Sequence, residues 1–340
     1  MRSIIATEAP GFCFDQDLPW GKRDILLFVG LIATTESSPQ PLAAAAAKAR
    51  PGLIADYATL FKVRVSAMVM ITAAAGFYLG SLRSGISPFN AGMVRALFGI
   101  AVVTCGSSAL NQVLERSTDR LMLRTRNRPM AAGRIGLAHG LIVGFVSIFG
   151  GSLFLARATN PLTGILTLLT AVGYVAIYTP LKRFSTINTF IGAFPGALPP
   201  LLGWTAARGV IEWPGVALFL ILFLWQFPHF MAIAWMYRED YDRAGYLVLP
   251  KGNARIPFVA LETLLPLLAL VAISMAPLPT QHAATFYCAG ALLGLGFLYF
   301  GLTFVLQRSR SAARRLLAAS IVYLPLFFAL SATLCNRGRS

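Results

Sequence analysis

The chain has 340 residues, 56% hydrophobic and only 12% charged, against about 25% charged in an ordinary soluble domain. Its mean hydropathy of +0.68 and its repeated helix-length apolar stretches argue against a soluble globular protein and predict a polytopic membrane protein embedded in a lipid bilayer. The net charge of +16 sits mostly in short loops, which suits anionic headgroups. No basic stripe with interleaved aromatics is present, so no nucleic-acid partner is expected.

Residues 1–50 stand apart. The apolar run 25–34 is too short to span, and no cleavage pattern follows a basic leader. Glu8, Asp15 and Asp17 argue against a mitochondrial presequence, which is poor in acids. The Ser-Pro-rich stretch from Ser37 and the alanine run after it read as a linker. Residues 1–50 are therefore expected to form a poorly ordered or interfacial tail, and residues 51–340 the membrane domain.

Nine spans follow, at 57–81, 88–110, 136–157, 161–180, 187–207, 214–237, 256–276, 283–305 and 314–334. Irregular backbone cannot face lipid, so the expected fold is all-α, a bundle of nine transmembrane helices. Span five carries Pro195, Pro199 and Pro200 and is expected to be kinked or broken. The loops after spans two, four, six and eight carry sixteen Lys and Arg, and the other loops carry Arg83, Arg157 and Arg208. The positive-inside rule then puts the N-terminus and the even-numbered loops in the cytoplasm and the C-terminus outside. Cys13, Cys105, Cys288 and Cys335 are scattered without CxxC and read as buried small hydrophobes.

Five groups of residues could carry chemistry. Lys62 and Arg64 open span one on the basic side, where snorkelling is the plain reading. Asn111, Glu115 and Asp119 recur every fourth residue where span two runs out, which puts three oxygen ligands on one helix face. Arg120, Arg124, Arg126 and Arg128 follow. Carboxylates suit a hard divalent cation such as Mg²⁺, and guanidinium groups suit phosphate oxygens. The plain alternative is positive-inside arginines neutralised by acids on a solvated helix end. Tyr178, Lys182 and Arg183 in YTPLKR reach the same membrane face, either for pyrophosphate or as an ordinary basic loop. His229 in WQFPHF is either a hydrogen-bonded interior histidine or a proton acceptor and porphyrin contact. If its helix continued to Asp240, both would lie on one face. His139 and His282 lie near loops and carry less signal. Glu239, Asp240 and Asp242 form a second acidic cluster, or simply a charged loop.

Taken together, these residues resemble the UbiA-type intramembrane prenyltransferases. ExxxDxxMxRTxxRP from Glu115, YTPLKR followed by Asn188, WQFPHF and REDYxxAG resemble, in that order, the branch called protoheme IX farnesyltransferase or heme O synthase. The likeness covers roughly residues 56–330. It implies a nine-helix bundle around a central cavity open to the cytoplasm and to lipid. It also implies transfer of farnesyl from farnesyl diphosphate to a vinyl group of heme B. Asn111, Glu115 and Asp119 match the first metal–diphosphate motif and Asp240 the second, with Mg²⁺ as cofactor on Glu115, Asp119 and Asp240. His229 joins them as a catalytic candidate. Lys62, Arg64, Arg124, Arg128, Tyr178, Lys182 and Arg183 are then candidate diphosphate binders. Phe227, Phe230 and Trp235 would keep stray water from an allylic cation.

The resemblance further implies a bacterial inner membrane and association with downstream heme A synthesis or terminal oxidase assembly. The chain departs from the branch at Lys62-Val63-Arg64, where Lys-Pro-Arg is usual, and at Leu247-Val248-Leu249-Pro250, where Pro-Met-Leu-Pro is usual. An aromatic or quinone-type acceptor, and a transporter with acids along an ion path, remain alternatives.

Overall fold

A computed structural model of the chain describes residues 52–275 and 283–334; the tail expected over 1–50, His282, Cys13 and Cys335 lie outside them. Among the described residues every regular element is helical. The helices are α1 (Leu53–Leu60), α2 (Val63–Arg83), α3 (Ala91–Asp119), α4 (Leu137–Ala158), α5 (Pro161–Val172), α6 (Asn188–Ala197), α7 (Pro199–Arg208), α8 (Trp213–Met236), α9 (Arg238–Arg243), α10 (Arg255–Ser274), α11 (Ala283–Gln307) and α12 (Arg310–Leu334). Among the described residues eight stretches are long and apolar enough to cross a membrane. The remaining expected span, the fifth at 187–207, is α6 followed by α7. Pro199 and Pro200 offer no N–H to a preceding turn, so one span becomes two ten-residue helices meeting at Leu198.

Capping residues set several starts. The Asn90 side chain accepts from the Met93 N–H at 3.1 Å and opens α3; Asn160, followed by Pro161, accepts from the Thr163 N–H at 2.9 Å and opens α5. The α3 helix is 29 residues long, about 43 Å at 1.5 Å per residue. A hydrocarbon core is about 30 Å thick, so the last turns of α3 project from it. The span expected to end at 110 therefore runs on to Asp119 as helix.

Span one differs in the other direction. A continuous helix from residue 57 is replaced by α1, a break at Phe61–Lys62, and α2. Lys62 sits in the left-handed region at φ 48°, which costs roughly 1–2 kcal/mol for a side-chain-bearing residue. The Ser66 hydroxyl, donating to the Phe61 carbonyl at 2.7 Å, steadies the break.

The spans pack as a closed series: α2 on α3, α3 on α4, α4 on α5, α5 on α6, α6 on α8, α8 on α10 and α12, α10 on α11, α11 on α12, and α12 back on α2. The buried α7 lies along α2. There a Cβ on Gly76 would collide with the Pro200 carbonyl, and one on Gly203 with the Ala73 carbonyl. Outward faces stay apolar and uncovered, as at Phe98, Ile142, Phe149 and Leu292, which is how a membrane-facing surface reads. The cysteine expectation needs correction here. Cys105 is half-buried and Cys288 exposed; a thiol facing lipid has no need of burial in protein.

Candidate active site

The end of α3 gathers three cations onto the oxygen ladder and a fourth beside it. Asn111, Glu115 and Asp119 are all buried. Lys62 Nζ donates to Asn111 Oδ1 at 2.5 Å and lies 3.3 Å from the Tyr174 hydroxyl. Lys182 Nζ donates to Glu115 Oε1 at 2.7 Å. Arg128 Nη1 donates to both oxygens of Asp119 at 2.9 Å and approaches Glu115 Oε2 at 3.8 Å. Arg183 donates to the Thr118 hydroxyl. The strained Lys62 turn thus delivers an ammonium to the first rung, as strain at functional sites commonly does.

Local sequence explains how each group arrives. Pro180 cannot donate to a preceding turn and its ring crowds the carbonyl four residues back. The helix opens into a π turn over Gly173–Tyr178, where the Thr179 N–H bonds to Tyr174 O. Such π turns recur at functional sites. The Thr179 hydroxyl also donates to Tyr174 O, at 2.8 Å, and accepts from Asn111 Nδ2 at 3.1 Å. Tyr178 then lies under Lys182, 4.4 Å from ammonium to ring centroid, a cation–π contact.

After α3 the chain folds back. Arg120 Nε donates to the Ala131 carbonyl at 2.7 Å, and Thr125 Oγ1 to the Asp119 carbonyl at 3.0 Å. This return places Arg128 opposite Asp119.

The two lysines differ electrostatically. Burial, helped by the Arg128 charge, pulls the Lys62 ammonium down to about 7. Burial also acts against Lys182, but Tyr178 and the hydrogen-bonded Glu115 carboxylate outweigh it and hold this lysine well above its ordinary value. Lys182 is a fixed charge; Lys62 is one that an arriving anion would complete.

The loops carrying the second acidic motif lie against the first. Arg124 stacks on Tyr237 at 5.0 Å and reaches the Tyr241 hydroxyl at 3.4 Å. Met122 is buried with Ala244 and Tyr246. The Leu247 N–H donates to the Lys182 carbonyl at 2.9 Å. Asn188 Nδ2 donates to the Leu247 carbonyl at 3.0 Å. Of the three acids, Asp240 is the one tucked away, with 14% of its side chain exposed and Arg243 at 2.7 Å. Glu239 is exposed and pairs with Arg238 and Arg310, while Asp242 pairs with Arg255.

Not every expected group joins the cluster. Arg64 is exposed on the first turn of α2. Among the described residues no three acids, histidines or cysteines stand close enough to hold one ion. His229 does not share a face with Asp240, because Tyr237, at φ −109° and ψ 20°, ends α8 before α9 begins. Its ring stacks on Trp225 at 4.6 Å, and Nδ1 lies 2.8 Å from Ser320 Oγ on α12. Trp235 turns instead toward α11, with Nε1 donating to the Arg308 carbonyl at 3.1 Å and the ring 5.9 Å from Phe304.

Two groups were invisible in the sequence. Gln112, next to the ladder, donates Nε2 to the Thr59 and Leu60 carbonyls at 2.7 and 3.2 Å and so anchors the turn that carries Lys62. The Tyr246 hydroxyl is buried beside Thr118, which accepts from Arg183, and it makes no well-formed hydrogen bond of its own. Burial, then the Glu115 charge, pushes this phenol above its usual range, so it stays a donor. The AGY tripeptide was its only signal, and nothing in periodicity marked it.

Three comparisons bear on this arrangement. The model of the UbiA prenyltransferase family matches residues 69–331. A protoheme IX farnesyltransferase of Koribacter versatilis is 42% identical over 306 residues, 86% of this chain and 97% of the relative. One from Opitutus terrae is 39% identical, over 80% of this chain and 91% of the relative. Among solved structures, a digeranylgeranylglyceryl phosphate synthase aligns with a TM-score of 0.66 at 16% identity, over 83% of this chain and 98% of that one. A UbiA homologue from Archaeoglobus fulgidus, bound to DMAPP and Mg²⁺, aligns at 0.57 and 16% identity, over 82% of this chain and all of that one.

Proposed function

The chain belongs to the UbiA prenyltransferase family, and we propose that it moves a farnesyl group from farnesyl diphosphate onto a vinyl group of protoheme IX (heme B), giving heme O and diphosphate. One observation carries the chemistry. Glu115 and Asp119 are each held by a cation, Lys182 or Arg128, in a buried setting. Carboxylates and cations interleaved in this way can part toward a divalent metal and a diphosphate respectively, with the total charge kept near balance. The acceptor rests on the relatives, eight of which carry the protoheme IX farnesyltransferase name at 34–42% identity.

The donor set fits magnesium. Mg²⁺ takes one or two carboxylates and completes its shell with water and substrate phosphate, so two walls with few acids each suffice. Glu115 and Asp119 on one side and Asp240 on the other would hold it, and when bound it supplies positive charge beside the departing diphosphate. Lys182, Arg128, Lys62 and the Tyr246 hydroxyl then bind phosphate oxygens and stabilise the charge that grows on them as the allylic C–O bond breaks. The vinyl π electrons form the new C–C bond. A water oxygen closes onto the resulting cation and gives up one proton. Phe227, buried two residues before His229 on α8, helps keep other water away.

The charge asymmetry of the loops supports a cytoplasmic mouth for the ladder and an N-terminus on the same side, and the bacterial relatives support a bacterial membrane location.

The decisive assay supplies purified protein with heme B, labelled farnesyl diphosphate and Mg²⁺. Label on heme is expected, with Asp119→Asn at least a hundredfold slower at saturating Mg²⁺. Label on a quinone precursor and none on heme would move the chain to another acceptor class. Near wild-type turnover of Asp119→Asn would remove the metal role.

A further inference from the structure

The hydroxyl of Ser320 determines what His229 can do. Ser320 is fully buried on α12. Its Oγ lies 2.6 Å from the Leu317 carbonyl and 2.8 Å from His229 Nδ1. A carbonyl has no proton to give, so at 2.6 Å the serine proton lies between those two oxygens. The serine oxygen can then only accept from the imidazole. His229 must therefore carry hydrogen on Nδ1, and in the neutral ring Nε2 keeps its lone pair.

Trp225 locks the ring from a second direction. Its indole stacks on the imidazole at 4.6 Å, while its Nε1 donates to the Ser320 carbonyl at 2.7 Å. Ser320 thus holds both the histidine and the tryptophan beneath it. His229 is only partly covered, and among the described residues its Nε2 has no hydrogen-bond partner. It lies seven residues inside the end of α8, about 10 Å along the helix from the loop that carries the second acidic motif.

A neutral imidazole with Nδ1–H tied to an oxygen and Nε2 open is the arrangement in which histidine ligates a metal. We infer that Ser320 is a positioning residue that presents His229 Nε2 to the iron of a flat metalloporphyrin substrate. The inference rests on the heme acceptor proposed above. Tying the iron to one ring nitrogen would hold the porphyrin in a single plane beside the diphosphate site, so that one vinyl edge faces the allylic carbon.

The test is heme binding by the full chain in detergent, followed by optical absorption without farnesyl diphosphate. Wild type should show an imidazole-ligated spectrum that His229→Ala abolishes. Ser320→Ala should bind with that signature roughly tenfold more weakly, the cost of losing an outer-shell partner. Ser320→Thr, which keeps the hydroxyl, should restore it. Nitrogen-15 NMR of labelled histidine in the heme-free protein should find the proton on Nδ1 in wild type and in Ser320→Thr, and a mixed tautomer in Ser320→Ala. A Ser320→Ala protein with unchanged tautomer and ligand spectrum would overturn the positioning role. A wild-type spectrum insensitive to His229→Ala would overturn the iron contact while leaving farnesyl transfer to heme standing. Absence of heme binding by every variant, with no label reaching heme in the transfer assay, would overturn both readings.

Discussion

Lys182 and Glu115 meet at 2.7 Å with 17% and 7% of their side chains exposed, so neither charge can go without stranding the other. Removing one partner of such a pair costs about 3 kcal/mol, whereas replacing both by neutral groups costs much less. Lys182→Met should therefore destabilise strongly, and Lys182→Met with Glu115→Gln should recover most of the loss in thermal unfolding. The double variant should still be inactive, because both the metal ligand and the diphosphate cation are gone. Recovery of turnover along with stability would refute the charge-exchange reading. Tyr246→Phe is the opposite case. An orphaned buried hydroxyl contributes nothing to the resting fold, so the melting temperature should hold or rise slightly. The bond it would make to a charged phosphate is worth about 1.5–3 kcal/mol, so KM for the prenyl diphosphate should rise roughly tenfold or more. The contrast with Glu115 explains what sequence can reveal. Glu115, Asp119 and Arg128 are legible because helical spacing and opposite charge announce them; Tyr246 is an aromatic in an apolar loop, and only its missing partner marks it.

At the scale of elements, the α2–α7 crossing is fixed by two absent side chains. Any Cβ at Gly76 meets the Pro200 carbonyl, which is backbone and cannot rotate away. Gly76→Val should cost more than the usual 1–3 kcal/mol of overpacking and lower the yield of folded protein. By pushing α7 off α2 it should impair transfer as well, although Gly76 touches no candidate ligand. Wild-type melting and activity in that variant would contradict the crossing. Apolar runs and capping residues made the spans legible, and the prolines foretold the break between α6 and α7. Two features that shape the site were not legible: the left-handed Lys62 and the π turn before Pro180. Each is a backbone choice made where the local signal is weak and hydrogen bonds decide: Gln112 holding the α1 terminus, and Thr179 bonding Tyr174. The end of α8 at Tyr237, by contrast, matches the sixth expected span, 214–237, and it separates His229 from the helix that carries Asp240.

Over the whole molecule, the acidic ladder lies where α3 ends and α2 begins, and a different ionic knot ties the other end of α2. Arg208 donates to Glu212 at 2.9 and 3.0 Å and to Ser84 Oγ at 2.7 Å, and Trp204 Nε1 reaches Glu212 at 3.2 Å. This joins the last turn of α7, the start of α8 and the residue that follows α2. The Arg208 hydrogen bond, with a smaller pull from its charge, holds the Glu212 carboxyl below its ordinary 4.5. A carboxylate lowered in the fold adds stability that is fully present above the ordinary value and is lost as pH falls through the lowered one. Glu212 is partly open to solvent, with 28% of its side chain exposed, so the contribution is modest, roughly 0.5–1 kcal/mol. Glu212→Gln should be less stable than wild type by that amount at pH 7, and the two melting curves should converge below pH 4.5 as the wild-type carboxyl takes up its proton. Prenyl transfer at pH 7 should be unchanged, since the knot and the ladder occupy opposite ends of α2. A gap in melting temperature that persisted into acid would show that Glu212 acts through packing rather than charge. A drop in turnover at neutral pH would show that the two ends of the bundle are coupled.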